Sequence, residues 1–504
     1  MESTQAVPIQ HYRAYRPEPF TRAQRADTIM LFGGLQWRTE RLVQAALERF
    51  GLRSEVLPTA TRADLLSGRE LADIGQCCPT SFTTGNLANA LREKSRELGA
   101  DEVARRYIHV TAGSCGSCRF GQYHQSYELA LRNIGMQSFR MFLLRQDALE
   151  QDAAEGLDIA PATMLALFWA MMVADLLQDV EYQVRPYEVE AGATDRAVQQ
   201  AVDRMAAAFR TAPVPGGRRT GALWFLWTAH FTRALREAVA PFAGIEVDRL
   251  RVKPLVKITG EFYLQTVEGE PNYNIHRWLE GEQAEVYPAA ITIWIDYLMR
   301  LAAQELEDRA GLRSGARTRR LLLRTAQGLL RRHYARLSRA FGGLPRELPR
   351  QEVLRALAAP YYNSRLNGGE GDMLVGKALW AHQRKKAHMI CELSPYACMP
   401  NTMSIGAMAA AVGAHPELLY APVEIKGDAE VHALSRCQMI LHEARRRAQA
   451  EFEAALADTG LTLDEARARL DRHPGLRKAG WRVPASGRAA GTAANLVYHL
   501  ATLR

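Results

Sequence analysis

The chain has 504 residues, of which 47% are hydrophobic and 24% are charged, a balance typical of a folded soluble protein. This composition excludes a disordered or fibrous chain, and because one hydrophobic core stops growing well below this length, we expect two or three domains. The net charge of +9 suits anionic ligands, but the basic residues are spread along the chain, which argues against nucleic-acid binding.

The first twenty residues, MESTQAVPIQHYRAYRPEPF, lack the apolar stretch of a signal peptide. The longest apolar segment, residues 164–177, is shorter than the roughly 20 residues that a membrane span needs. The sequence therefore predicts a cytoplasmic protein with no membrane partner. In that compartment thiols stay reduced, so clustered cysteines bind metal more often than they form disulfides.

Residues 1–26 are polar and are predicted to be an N-terminal extension. Residues 27–150 then alternate between short apolar runs and segments of helical periodicity, which predicts a first α/β domain with a parallel sheet. The predicted strands are 28–34, 53–57, 107–111 and 138–144, and the predicted helices are 37–50, 84–98 and 122–134.

Residues 151–250 show helical periodicity without strand signals, and we interpret them as a helical insert with helices at 160–179, 194–209 and 222–239. Residues 251–456 are predicted to form a second α/β domain, and residues 457–504 a helical C-terminal tail. In the second domain the predicted strands are 253–259, 285–288 and 388–393, and the predicted helices are 289–308, 314–341, 373–384, 403–412 and 431–455. The expected fold class is thus α/β, with two Rossmann-like or flavodoxin-like parallel-sheet domains.

Three loops carry cysteines together with glycine or proline: GQCCP at 75–79, CGSC at 115–118 and SPYACMP at 394–400. Each loop lies at the end of a predicted strand or the start of a predicted helix. At that edge α/β sheets bind ligands, and helix N-termini favour negative charge. Because thiolates are soft ligands, the pattern indicates an iron-sulfur cluster or a zinc ion.

A zinc site of four cysteines normally pairs two C-x-x-C motifs, whereas here only Cys115 and Cys118 form one. Cys398 stands alone, and in the first loop either Cys77 or Cys78 could serve. The spacing favours an iron-sulfur cluster, and zinc or unliganded thiols remain as alternatives. Two further cysteines, Cys391 and Cys437, lie in apolar patterns and are predicted to belong to the core.

Taken together, these loops resemble the cluster-bearing region of the 2-hydroxyacyl-CoA dehydratase and activase superfamily, over residues 28–500. The resemblance rests on MLFGGL at 30–35, GQCCPTSFTTGNL at 75–87, CGSCRFGQY at 115–123, VRPYE at 184–188, GEF at 260–262, GEPNYN at 269–274, GEG at 369–371, SPYACMP at 394–400 and GTAAN at 491–495. So many segments in one order make the resemblance specific.

The resemblance implies an iron-sulfur cluster, either a 4Fe-4S cluster or a double cubane. It implies the ligands Cys77, Cys115, Cys118 and Cys398, and so selects Cys77 over its neighbour. The chain departs from the superfamily at two positions. These are Cys78, where relatives usually have another residue, and Ala397, where a glycine is common.

Larger members of that superfamily carry an actin-like ATPase module that drives an electron to low potential, and this sequence shows neither that module nor a P-loop. The resemblance therefore implies low-potential electron transfer or reductive, dehydratase-type chemistry with a separate ATPase activator. An acyl-CoA substrate and a homodimer or heterodimer are further expectations from it. Whether the chain is an enzyme on its own stays open.

Polar residues near the same edge are candidates for the chemistry. Arg119 follows a cysteine directly and could neutralise cluster charge. The candidate acids or bases are Glu261, Glu268, His276 and Glu370, each of which helix capping or a salt bridge could also explain. Arg185 and Tyr187 are candidates for a domain cleft or a CoA phosphate site, although Pro186 equally suggests a turn.

A different class of function is a binding or scaffold protein, stabilised by zinc or by free thiols. Residues 313–339 carry eight arginines among leucines at helical spacing, which predicts an amphipathic helix. In this interpretation the basic helix would dock a partner.

Overall fold

The computed structural model describes residues 18–73, 75–113, 118–144, 156, 157, 159–309, 315–366 and 368–503. In these residues the chain forms two four-stranded parallel sheets with helices around them, which confirms the predicted α/β class.

The first sheet has the strand order β2-β1-β3-β4. Its strands are β1 (Ile29–Phe32), β2 (Ser54–Val56), β3 (Tyr107–Ala112) and β4 (Arg140–Leu144), and its helices are α1 (Trp37–Arg49), α2 (Arg62–Leu71), α3 (Cys78–Leu98), α4 (Ala100–Arg106) and α5 (Tyr123–Asn133). This is the flavodoxin-like order, in which the chain reverses direction across the sheet between β1 and β3 and leaves a crevice at their carboxyl ends.

The second sheet repeats this order, with the strands β5 (Leu255–Gly260), β6 (Glu285–Tyr287), β7 (Met389–Pro395) and β8 (Leu419–Ile425) arranged as β6-β5-β7-β8. Its crevice lies between β5 and β7. Strand β8 was not predicted. It pairs with β7 on one side only and contains Pro422, which an edge strand tolerates but which breaks the apolar run in the sequence.

Between the sheets lie α6 (Pro161–Val184), α7 (Ala193–Arg210), α8 (Arg218–Trp227) and α9 (His230–Gly244). The prediction of one helix over 222–239 is wrong, because the chain breaks between α8 and α9. There the Thr228 hydroxyl accepts a hydrogen bond from the backbone N–H of His230 at 3.0 Å. Such a hydroxyl satisfies a free N–H group at the start of a helix.

The second half of the chain contains α10 (Phe262–Thr266), α11 (Ile275–Gly281), α12 (Ile291–Asp308), α13 (Ala316–Ala340), α14 (Gln351–Ala358), α15 (Gly371–Gln383), α16 (Met399–Ala414), α17 (Glu430–Thr459), α18 (Leu463–Arg472) and α19 (Thr492–Ala501). Short 3-10 helices lie at Arg22–Ala26, Arg119–Gln122, Arg185–Tyr187, Glu270–Asn272 and Pro474–Arg477. The basic helix α13 is amphipathic. Its side chains Leu330, Tyr334 and Leu337 are buried, and Leu321 and Leu322 are exposed.

Helix α6 is the centre of the largest core, where Trp169 and Leu177 pack with Met30 of the first sheet and with Leu337 of α13. In the described residues, one stretch, Pro161–Tyr187, is long and apolar enough to cross a membrane, and most of it is buried inside the protein. A buried core helix meets the same criteria as a membrane span, so this stretch does not indicate a membrane.

The carboxylates of α6 support a role inside the protein, because each has a protein partner. Asp175 accepts hydrogen bonds from the backbone N–H groups of Ile291 and Thr292 at 2.9 and 2.7 Å, and so caps α12. Asp179 forms an ion pair with Arg346 at 2.6 Å. These contacts fix the helical insert to the second sheet.

The two sheet regions meet beside the first cysteine loop. Cys78 and Phe82, at the start of α3, pack into the core of the second sheet with Ile425. The backbone N–H of Cys78 also donates a hydrogen bond to the carbonyl oxygen of Tyr396 at 3.3 Å. The carboxyl edges of the two sheets are therefore held together at this point.

Helices α2 and α3 cross at two glycines, and a side chain at either one would collide with backbone. A Cβ atom on Gly85 would lie 1.8 Å from the carbonyl oxygen of Asp64. We expect Gly85→Ala to lower the free energy of unfolding by about 2 to 3 kcal/mol, measured by denaturant unfolding, because the helices must separate. At the exposed Gly328 in α13 no atom lies within 4 Å of such a Cβ, so Gly328→Ala should raise stability by about 0.5 to 1 kcal/mol. Equal effects of the two substitutions would contradict this packing.

Candidate metal centre

Three cysteines lie at N-cap positions, directly before a helix, on the carboxyl edges of the sheets. Cys77 is the N-cap residue of α3, Cys118 that of the 3-10 helix that follows β3, and Cys398 that of α16, which follows β7. The free N–H groups at helix N-termini favour an anionic group. Because Cys118 follows β3 and Cys398 follows β7, both also lie at the crevices where sheets of this topology bind ligands.

The Cys398 thiol is near enough to the other two thiols for their charges to affect its pKa. Burial and the Glu261 carboxylate raise the pKa of Cys398 above its ordinary value, and the nearby Cys77 and Cys118 thiols add to the effect. Groups influence one another in this way only at short range. Cys77 and Cys118 therefore lie in the neighbourhood of Cys398, and their binding of one shared cluster stays a prediction. The prediction for Cys115 falls on a residue outside the described ranges.

The Cys77 thiol is almost fully buried and has two hydroxyl groups beside it. Its Sγ atom lies 3.1 Å from Thr80 Oγ1 and 3.3 Å from Tyr123 Oη. Burial raises the pKa of Tyr123, so this phenol stays neutral and keeps its proton. Both hydroxyls are placed to donate hydrogen bonds to a thiolate sulfur, an interaction that tunes the reduction potential of a cluster. The sequence places Tyr123 at the start of a helix, the end that favours an anion, but its contact with Cys77 joins α3 to α5 and leaves no local signal.

The loop before Cys398 contains Ala397, at the position where the resemblance predicts a glycine. Ala397 has a φ of +62°, in the left-handed region that glycine adopts without cost. A glycine, which the resemblance predicts at this position, would adopt this conformation without strain. Across the loop, Gly369 packs so closely that a Cβ atom on it would lie 3.0 Å from Pro400.

Cys118 and Arg119 connect the second loop to the first. The backbone N–H of Phe120 donates to the Cys118 Sγ atom at 3.4 Å. The Arg119 guanidinium donates to the carbonyl oxygen of Gly75, two residues before Cys77. Arg119 thus lies between the two loops, and its predicted role in neutralising cluster charge stays a prediction.

The remaining described cysteines pack into the core of the second sheet. Cys78 lies in this core, and burial raises the pKa of its thiol to about 12. Cys391 and Cys437 are fully buried in the same core, and their thiols hydrogen-bond to each other. The side chain of Cys77 packs instead in the core of the first sheet, which separates it from its neighbour.

Two of the predicted acids, Glu261 and Glu370, lie near each other, and Glu261 also lies near Cys398. Glu261 follows β5 and caps α10 by accepting a hydrogen bond from the Leu264 N–H at 3.0 Å, and burial raises its pKa to about 7. Glu370 is buried, and burial raises its pKa to about 8, with the nearby Glu261 adding to the shift. Each acid can hold a proton near neutral pH.

The Glu370 carboxylate belongs to a buried polar chain. Gln265 Nε2 donates to Glu370 Oε1 at 3.2 Å, and Lys377 Nζ donates to Gln265 Oε1, also at 3.2 Å. Burial lowers the pKa of Lys377. This chain of groups leads from the cysteine edge into the interior of the second sheet.

The titration of Glu370 should make stability depend on pH. Its pKa of about 8 in the folded protein lies above the ordinary 4.5, so the folded state binds more protons and wild-type stability falls as pH rises through 8. Glu370→Gln removes the titrating carboxyl group and therefore this fall in stability with pH. The variant should therefore gain stability over wild type between pH 5 and pH 9, by on the order of a few kcal/mol in denaturant unfolding. A difference that stays constant over this pH range would contradict the assignment.

The other predicted acid and base lie in a different environment. Glu268 forms an ion pair with Arg38 at 2.7 Å. The His276 ring packs on Tyr182 with ring centres 5.5 Å apart, and burial, with the neighbouring Arg38, lowers its pKa to about 3. Their roles in proton transfer stay predictions.

Arg185 and Tyr187 make internal contacts. Arg185 forms ion pairs with Asp195 at 2.7 Å and Glu280 at 2.9 Å. The buried Tyr187 donates its hydroxyl to Glu285 at 2.8 Å. These contacts tie the helical insert to the second sheet and account for both side chains.

Another group with metal-ligand chemistry lies away from the cysteines. His382 Nε2 is 3.0 Å from Glu417 Oε1, and His415 Nδ1 is 3.5 Å from the same oxygen. His415 Nε2 also lies 3.4 Å from the hydroxyl of Tyr361. Ion pairing and hydrogen bonding account for this cluster, which the sequence analysis did not single out.

Comparisons of the chain with protein-family models, with curated proteins and with solved structures found no match.

Proposed function

We propose that the chain binds an iron-sulfur cluster and acts in low-potential electron transfer, or in reductive or dehydratase-type chemistry, together with a separate ATPase. The observation that carries the proposal is the position of Cys77, Cys118 and Cys398, each of which is the N-cap residue of a helix on the carboxyl edge of a sheet. Cys115 would supply the fourth thiolate. The resemblance to the 2-hydroxyacyl-CoA dehydratase superfamily points in the same direction.

The described cysteines are not grouped as tightly as the ligands of a single zinc ion. Zinc holds its sulfur ligands at about 2.3 Å, so four thiolates around it crowd together. Among the described residues, the group whose ligand atoms all lie within 4.8 Å of one another is His382, His415 and Glu417. No three of the described cysteines meet that spacing, which a single zinc ion would require of them.

The surroundings of the thiols suit a negatively charged group. The helix N-termini direct their N–H groups towards it, and Thr80 and Tyr123 offer hydroxyl donors at Cys77. A bound cluster would supply the transfer of single electrons. The chain's own part is to hold the cluster, to exclude water from Cys77 and Cys398, and to keep a proton on Glu261 or Glu370 nearby.

The surface next to Cys398 suits a partner chain. Tyr396, Met399 and Met403 are exposed there by 52%, 51% and 37%. Exposed apolar side chains grouped in this way are typical of docking surfaces. We propose that a separate ATPase docks at this surface to deliver an electron. An acyl-CoA substrate, a dimeric assembly and a cytoplasmic setting that keeps the thiols reduced complete the proposal.

Redox titration of the anaerobically purified protein, followed by electron paramagnetic resonance, tests the proposed function. We expect a one-electron centre with a midpoint potential at or below the roughly −400 mV of plant-type ferredoxins. A midpoint potential above zero would overturn the electron-transfer role while leaving the cluster in place. A protein with zinc and no redox signal would favour the scaffold alternative.

A further inference from the structure

A cavity of about 250 Å³ lies at the edge of the second sheet where its strands begin, opposite the edge that carries Cys398. It opens beside Leu255 and Glu285, the first residues of β5 and β6, and is closed by the segment 479–495 of the C-terminal tail. Two of the three cysteine loops follow the last residues of β3 and β7, and the first loop precedes α3. The cavity is therefore a separate feature of the fold.

Positive charge dominates the walls of this cavity, because six of its lining side chains are cationic and two are carboxylates. The cationic residues are Arg249, Arg346, Arg384, Lys385, Lys386 and Arg482. They come from four separate segments of the chain, so their charges converge from different sides on one space. Converging cations in a concave site attract anionic ligands.

Both carboxylates are already engaged by the protein. Glu285 accepts hydrogen bonds from the hydroxyls of Tyr187 at 2.8 Å and Thr492 at 2.6 Å, and pairs with Arg346 at 2.5 Å. Glu347 pairs with Lys386 at 3.4 Å. These two acids therefore balance only part of the positive charge.

Three of the arginines keep their charge available. Among the described residues, no carboxylate pairs with Arg249, Arg384 or Arg482. Arg249 is 94% buried and donates to backbone carbonyl oxygens, including that of Lys478 at 3.1 Å. Burial lowers its pKa to about 10, and the neighbouring Glu285 offsets only part of this effect. Arg384 and Arg482 are exposed at the rim.

Aromatic side chains form the other part of the wall. Trp380 and Trp481 line the cavity, and the Arg249 guanidinium lies 5.9 Å from the ring centre of Trp481. Indole rings offer flat apolar surfaces that pack against planar groups. The cavity thus combines several cations with a surface for an uncharged, planar portion of a ligand.

We propose that this cavity binds a phosphorylated small molecule with at least two negative charges, as in a diphosphate or a nucleoside phosphate. Arginine suits phosphate because its planar guanidinium donates two parallel hydrogen bonds. Because six cations line the cavity against two carboxylates, a ligand with more than one phosphate suits it better than a single phosphate does. The site does not depend on the cluster, so a chain without bound iron should also bind the ligand.

Calorimetric titration of the full chain with inorganic pyrophosphate tests the proposal. We expect saturable binding at one site per chain. The double variant Arg384→Gln/Arg482→Gln should weaken it by about tenfold or more, because two charge-assisted contacts are lost. The control Arg317→Gln/Arg319→Gln removes the same charge from exposed positions of α13 and should leave affinity unchanged.

Two further results would locate the site and define the ligand. Bound pyrophosphate should protect Lys385 and Lys386 from acetylation, as read by mass spectrometry of the folded protein. ADP should bind more tightly than pyrophosphate if the indole rings contact its base. Equal weakening in both double variants, or citrate binding as tightly as pyrophosphate, would overturn the proposal, as would the absence of binding by wild type.

Discussion

Replacing Cys398 with serine should leave anaerobically purified protein with little of the iron and acid-labile sulfide that the wild type binds. A serine hydroxyl is a much poorer ligand for iron than a thiolate, because thiolates are the soft ligands that clusters require. Cys398 is also the thiol that the second sheet contributes to the site. Its loss removes the connection between the cluster and that sheet.

The matched control for this variant is Cys437→Ala. Cys437 is fully buried beside Cys391 in the core of the second sheet, so its loss should leave the iron and sulfide content near the wild-type level. Circular dichroism of both variants checks that each has folded. A Cys398 variant with full iron content, or loss of iron only in the Cys437 variant, would contradict the assignment of ligands.

Replacing Arg38 with alanine should destabilise the protein more than any other substitution considered. Arg38 is 1% exposed and lies between two carboxylates, those of Glu181 in α6 and of Glu268 after α10, with the Glu268 contact at 2.7 Å. Alanine would leave Glu268 without this cation and the buried Glu181 with Arg185 as its remaining ion-pair partner, and it would open a cavity where the Arg38 side chain packs. We expect a loss of about 3 to 5 kcal/mol in the free energy of unfolding, measured with denaturant.

An exposed ion pair provides the control for Arg38. Arg105 pairs with Glu102 on the surface of α4, with a side chain 65% exposed. Because water and salt screen such pairs, Arg105→Ala should leave the unfolding midpoint nearly unchanged. A similar midpoint shift in both variants would contradict the large contribution that we expect from the buried ion pairs of Arg38.

The sequence predicts most of the fold because apolar runs mark the buried strands directly. It misses strand β8, since an edge strand needs fewer apolar residues and tolerates Pro422. It also places the start of the helix after the first cysteine loop at residue 84, whereas α3 begins at Cys78. Pro79 looks like a helix breaker in the sequence, but the first turn of a helix accepts proline readily.

The candidate site could be predicted in part. The rule that α/β sheets bind ligands at their carboxyl edges indicates where the cysteines should lie, and Cys77, Cys118 and Cys398 lie there. No local pattern shows that the edges of two different sheets meet. No local pattern shows that Tyr123 contacts a thiol, or that Glu268 pairs with a distant arginine. These contacts join residues that are far apart in the sequence.

The most direct test of the central claim is the metal content of the wild-type chain. The protein is purified without oxygen and assayed for iron, acid-labile sulfide and zinc, together with its absorption spectrum. The account predicts about four irons per chain or more, with a similar amount of sulfide, and an absorption band from thiolate bound to iron. Stoichiometric zinc without sulfide would contradict it.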